Sequence, residues 1–398
     1  MKDSRVYLRY CGSCRFQDKL WFPNGGFNGL FCIDLKDLEV EFKQRIPFLE
    51  PGIQWAFSEN VNCMYDDKIF FFPLNCCQIM VYDVQSNSVE EIPIKAADGS
   101  DIYQTEGIIQ VAEKVLVFPI KKAQGIFILD LKERKLKRNK ELEDMLNEVE
   151  FIYNYGNIIR KNETEMVILS GKHTVIGIDI QNRKKTFIKQ FEEFDIWGIR
   201  YDGSNFWLLL YESTDVYRWN PFDDRLFQYH LSEEVWINGK GKPYANMIFL
   251  DNQILLLPCS LKYIMRIDQE THTISKAVEY PAGFQFFDGL MTVSAFAAFD
   301  IIGPHKVLIH PVRGNMLLLY DVEKNSIEGK ELTVTSGQVP YLQEIIKQEF
   351  QQGNDIVCEK DNFGVELLDL AIVQNRKNKS NEETGQIGRS IYNTLMRQ

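Results

Sequence analysis

The chain is poor in the groups that most catalytic signatures need. Its 398 residues contain five histidines. No G-x-S-x-G elbow accompanies them, so a Ser-His-Asp set is not assembled by motif. There is no P-loop and no dinucleotide fingerprint, and no cofactor is expected. Basic excess is also missing. Lys and Arg number 45 against 56 Asp and Glu, for a net charge of −11. Phosphate neutralisation needs clustered cations, so nucleic acid is not an expected partner. Apolar runs are short, as at 254–257 and 316–319, and none is long enough to span a membrane. No apolar stretch follows Met1-Lys2-Asp3-Ser4-Arg5, so no secretory signal is read there. The eight cysteines show no framework spacing. Reduced thiols in the cytoplasm are therefore the expectation.

What the chain does have is apolar and aromatic content. It is 45% hydrophobic and 13% aromatic, with 27 Phe and 17 Tyr. With its many β-branched residues, this composition leans toward sheet.

The apolar residues recur. A run ending in proline is seen at Leu20-Trp21-Phe22-Pro23, Phe70-Phe71-Phe72-Pro73 and Leu116-Val117-Phe118-Pro119. It returns at Leu255-Leu256-Leu257-Pro258 and Val307-Leu308-Ile309-His310-Pro311. Met166 to Ser170 and Trp207 to Leu210 are copies without the proline. Soon after each comes a second run closed by an acid or amide: Asp34, Asp83, Asp130, Asp179, Asn220, Asp268 and Asp321. The mean spacing of the seven copies is about 48 residues, in the range of a propeller blade.

Each copy reads as four strands. The proline-ended run is the second, apolar throughout because it lies between neighbouring blades. The acid-ended run is the third, and its carboxylate accepts N–H bonds from the turn that follows. A more polar fourth strand is the outer edge. The expected fold is all-β: a seven-bladed β-propeller of four-stranded antiparallel blades over 1–335. A C-terminal extension of helical segments and polar linker follows over 336–398. Val6 to Tyr10 reads as a strand that either pairs with the last blade or extends the first.

At this level the chain resembles the kelch and galactose-oxidase-like propellers over about residues 5 to 335. Kelch blades carry a Gly-Gly pair after the second strand. Only Gly25-Gly26 matches it, and no WD signature is present. The resemblance implies the architecture and no functional residues.

Two regions lie outside a bare ring. Residues 132–148 read as an outer strand running into a short charged helix, either solvated or docking. After Pro340, the positions Tyr341, Leu342, Ile345, Ile346 and Phe350 have helical spacing. Residues 374–385 are linker-like. Ile387, Ile391, Tyr392 and Leu395 then share a helical face, which packs on the propeller or docks a partner.

In such a ring, one face is built by the loops between second and third strands and by those entering each first strand. That nominates Trp55, Glu59, Glu106, Lys122, Tyr155, Lys172, His173, Trp197, Tyr211, Tyr244, Lys262 and Arg313 as ligand or partner contacts. Aromatic, amide and cationic groups together suit a peptide, a carbohydrate or a small anion. The leading expectation is a non-enzymatic scaffold that binds a protein or peptide partner. The alternative is a glycan- or small-anion-binding protein, or a hydrolase or lyase, with Glu59 and Glu106 as the acid pair. No catalytic residue is assigned. No metal is expected either. Cys11 and Cys14 form a lone C-x-x-C, and Cys63, Cys76 and Cys77 would have to complete a tetrahedral set. Cys14 and Cys63 read instead as small buried hydrophobes on inner strands.

Overall fold

The computed structural model describes residues 13–352. Short stretches at 26, 51–52, 54–55, 148–154, 232–240, 251–252, 260, 262, 285–295, 304, 312–315, 332–333 and 335–336 lie outside the description, as do a few side chains within strands and the last helix. Seven four-stranded antiparallel sheets form a β-propeller, and each sheet is a simple meander of consecutive strands. The blades span residues 14–44, 57–93, 105–138, 155–190, 196–229, 244–278 and 296–331.

The apolar runs are the second strands, and their burial explains their composition. In Lys68–Pro73, Glu165–Ser170 and Gln253–Pro258 every residue after the first is buried. Alternate side chains serve opposite neighbours. In the fifth blade, Phe206, Leu208 and Leu210 join a cluster with Val167 and Leu169 of the fourth. Trp207 and Leu209 join one with Leu256 and Met265 of the sixth. Each seam between adjacent blades holds one such cluster. Outer strands alternate or are largely exposed, as in Lys184–Gln190.

The acid or amide near the end of each third strand caps the next turn in all seven blades. Asp34 accepts from the Lys36 N–H, Asp83 from Gln85 and Ser86, and Asp130 from Glu133. Asp179 accepts from Asn182, Asn220 from Phe222, Asp268 from Glu270 and Thr271, and Asp321 from Lys324.

Among the described residues, the first and last blades are each made of contiguous chain. At their seam, Leu20, Phe22, Phe31 and Ile33 pack with Leu308 and Leu317. Arg15 donates to the Ile301 carbonyl at 2.8 Å. The C-terminal helix α2 (Val339–Gln352) adds Leu342 and Ile345 to the same cluster. The strand-like segment at Val6 to Tyr10 and the apolar face at Ile387 to Leu395 lie outside the described residues.

The charged segment is the third blade's outer strand, Lys135–Arg138, followed by a helix, α1 (Lys140–Asn147). Its charged face, with Lys140, Glu141 and Asp144, is exposed to solvent, while its apolar face packs on the propeller. Leu142 and Leu146 are buried against the third and fourth blades. Cys14 and Cys63 are buried, and desolvation raises both thiols, Cys14 to about 12.

Candidate functional site: the channel mouth

The first strands line the central channel, and six of the seven break register at the same end. In the third blade, Thr105 pairs with Pro119 and Gly107 with Phe118, which leaves Glu106 as the extra residue. Trp197 is the extra residue of the fifth blade, Ala245 of the sixth and Ala297 of the seventh. In the fourth blade the shift falls on Gly156 and Asn157, and in the second on 58–61. A bulge turns a side chain out of the sheet's alternation. Here it turns Glu106, Asn157, Trp197 and Ala245 toward the cavity they line.

The cavity below this ring has a volume of about 790 Å³ and is lined by Glu106, Asn157, Arg160, Trp197, Arg200 and Asn246 among apolar residues such as Ile158, Met247 and Phe299. Burial pushes the Glu106 carboxyl up to about 7, against a smaller opposing pull from Lys242. Arg200 donates from Nε to Asn246 Oδ1 at 2.8 Å and from Nη1 to Asn157 Oδ1 at 2.9 Å. Desolvation lowers its guanidinium to about 10.

A second cleft, of about 590 Å³, lies on the loop face and is lined by Lys172, Phe194, Asp195, Tyr211 and Tyr217. Lys172 Nζ sits 4.7 Å from the Tyr211 ring centre and 2.5 Å from Asp195 Oδ2. Lys242 Nζ lies 5.5 Å from Tyr211 and 4.4 Å from Trp197. Cations and rings therefore alternate from Lys172 through Tyr211 and Lys242 to Trp197. This wall leads from the rim to the bulge ring.

Of the residues expected on this face, Lys172, His173, Trp197, Tyr211 and Glu106 meet at or near this wall. His173 Nε2 is 3.3 Å from Asp195 Oδ1. Two are elsewhere employed. Tyr244 is fully buried and donates its hydroxyl to the Thr214 carbonyl at 2.8 Å, so it is a core residue and not a contact. Lys122 reaches the Leu146 carbonyl of α1 at 3.4 Å, where a cation meets the free carbonyls of a helix end. Trp55, Lys262 and Arg313 lie outside the described residues, as do the side chains of Glu59 and Tyr155. His310 is enclosed between strands, with Nε2 3.1 Å from Asp300 Oδ2. Arg200 and Lys242 were not among the expected residues. Arg200 had a signal: a lone guanidinium on the otherwise apolar inner strand Ile196–Tyr201.

No protein-family model matches the chain, and no curated protein matches it. Solved structures do match in fold. The extracellular domain of a putative one-component system from B. thetaiotaomicron aligns at a TM-score of 0.54 and 12% identity, over 80% of this chain and 39% of that one. Dihydro-heme d1 dehydrogenase NirN aligns at 0.53 and 12%, over 82% and 67%. A computationally designed protein aligns at 0.51 and 9%, over 84% and 91%. The chain thus spans about two fifths of the first of these. An extracellular domain, an enzyme and a design share little but architecture, so the likeness establishes the propeller and does not extend to a kelch family or an activity.

Proposed function

We propose that this propeller is a binding scaffold that receives a peptide or loop of a protein partner at the channel mouth. The observation that carries this is the continuous wall of Lys172, Tyr211, Lys242 and Trp197 between rim and channel. Rings with a polar edge, flanked by cations, are the side chains that dominate protein interfaces. Segment 386–398, with its apolar helical face, is a second contact in this reading.

A partner retained on the immobilised full chain tests the idea. Trp197→Ala with Tyr211→Ala is expected to weaken its retention by about tenfold or more, as for anchor aromatics. Phe222→Ala, on a third-to-fourth-strand turn and 82% exposed, is expected to leave it unchanged. Equal retention by both variants sinks the proposal.

A second reading has its own support. Glu106, with its carboxyl near neutrality inside a cavity of about 790 Å³, suits a small polar molecule, since ligand pockets fall in this size range.

A further inference from the structure

We propose that the channel holds a site for a carboxylate anion, received by Arg200 at the level of the bulge ring. This deepens the reading above, because the same mouth leads to it.

Arg200 projects from the fifth blade's inner strand into the space enclosed by the ring. Its bonds run to the Asn157 and Asn246 amides and to the Ile199 carbonyl, and all three acceptors are neutral. Among the described residues no carboxylate pairs with it, and desolvation is the one influence on its ionisation. Glu106, the carboxyl lining the same cavity, is acted on by Lys242 and not by Arg200. A guanidinium keeps its proton at any working pH. An enclosed charge without a counter-ion is costly, and structures pair such charges. A counter-ion missing among the described residues is the first property of the ligand.

Geometry supplies the second. Nε and Nη1 are committed to the wall of the channel. Nη2 makes no hydrogen bond among the described residues, which leaves its N–H groups for a guest. Asn157 and Asn246 stand at the bulges of the fourth and sixth blades, so they hold the guanidinium at bulge level. At that level the Trp197 indole N–H is enclosed and has no acceptor among the described residues. Two donors without acceptors, one of them charged, line a single cavity. Lys242, stacked over Trp197, favours the entry of an anion.

Charge matching selects the class. One uncompensated guanidinium balances a monoanion, and its open Nη2 offers a charge-assisted hydrogen bond to a carboxylate oxygen. The source is either the acidic end or side chain of a partner peptide, or a free carboxylic acid.

Trifluoroacetate, followed by fluorine NMR, probes the site in the full chain. Saturable line broadening is expected with the native sequence and with Phe222→Ala. Arg200→Gln is expected to weaken it by about tenfold, as for loss of a charged hydrogen bond. Should Arg200→Gln fail to fold, Trp197→Phe keeps a ring and removes the N–H, and is expected to weaken broadening by about threefold. Broadening that is absent from the native protein, or unaltered in the folded variants, overturns the proposal. Displacement by hexaglycine but not by its C-terminal amide assigns the site to a chain end. Displacement by acetate but by neither peptide assigns it to a small acid. The probe needs no partner, so failure to retain a partner and failure to bind trifluoroacetate are separate results.

Discussion

At the scale of single residues, a side-chain oxygen closing each third strand, from six aspartates and Asn220, is what the seven turns share. The fourth residue after it adopts positive φ in every blade, at Leu38, Asn87, Arg134, Arg183, Asp224, His272 and Asn325. The side-chain oxygen satisfies the turn's N–H groups while the chain reverses. Three of these turns have a second tie. Tyr82 donates to Asn87 at 2.7 Å, Tyr320 to Asn325 at 2.8 Å and the Trp219 indole to Asp224 at 2.8 Å. The turn N–H bonds hold Asp83 at about 2, and also lower Asp179, Asp268 and Asp321. A carboxyl lowered by folding stabilises the fold above its unfolded value near 3.8, and that contribution disappears as pH falls through the folded value. Acid should therefore cost the protein stability mainly between about pH 4 and pH 2. Asp83→Asn keeps an acceptor but no charge, and loses the Lys68 pair at 3.0 Å. It is expected to be about 1 kcal/mol less stable at neutral pH, with the gap closing toward pH 2. Urea midpoints at three pH values measure this, and a constant gap contradicts it. This chemistry is local, so it was legible in the sequence. The fate of a tyrosine was not. Tyr211 and Tyr244 have the same side chain at neighbouring loops, and only tertiary packing sends one to the surface and the other into the core.

At the scale of elements, the second strands were legible because burial on both faces permits little but apolar residues. The bulges were not, because an acid, an indole and two alanines, Glu106, Trp197, Ala245 and Ala297, occupy them and give no common side-chain signal. Only the pairing register reveals that they are equivalent positions. The α1 helix lay between these cases, since its charge hid its anchors. Asn139 caps its first turn by accepting from the Leu142 N–H at 3.2 Å. Glu143, buried within the helix, accepts from the Ile126 N–H at 2.9 Å and from Arg138 Nε at 2.8 Å. It also covers Gly125, whose φ of +97° and close approach to Glu143 Oε1 leave no room for a side chain. Glu143→Ala would orphan a buried N–H and strand the Arg138 partner. It is expected to cost about 3 kcal/mol, whereas Glu143→Gln keeps the N–H acceptor and costs less. Hydrogen exchange should rise at Lys140–Asn147 and at Ile126 before it rises elsewhere in the third blade. Uniform loosening of that blade would show that Glu143 does not anchor the helix.

At the scale of the whole molecule, a ring of contiguous blades has one seam that no covalent connection crosses, that between the first and last. Six seams are supported by the loop that joins their blades. The seventh has no such loop, and the C-terminal helix is placed over it. Val334 bridges to Val40 of the first blade's outer strand. Gln338 bonds both backbone groups of Phe42, each at 3.0 Å, and so blunts an exposed strand edge. Tyr341 packs on the Phe42 ring at 5.7 Å, and Leu342 and Ile345 are buried in the cluster that joins the two blades. The helix thus acts as a clasp. Leu342→Ala removes apolar volume from the seam and is expected to cost about 2–5 kcal/mol, the range for a buried leucine. Its location distinguishes a clasp from ordinary core loss. Exchange should rise first at Val40–Gln44 and Met316–Asp321, the strands beside the seam, while Glu165–Ser170 across the ring keeps its protection. Leu256→Ala, in the seam between the fifth and sixth blades, supplies the comparison. Its blades remain tethered by the loop between them, so it should lower stability without opening Val40–Gln44. Equal protection of the two seam strands in Leu342→Ala and the native chain would mean that the first and last blades hold each other unaided.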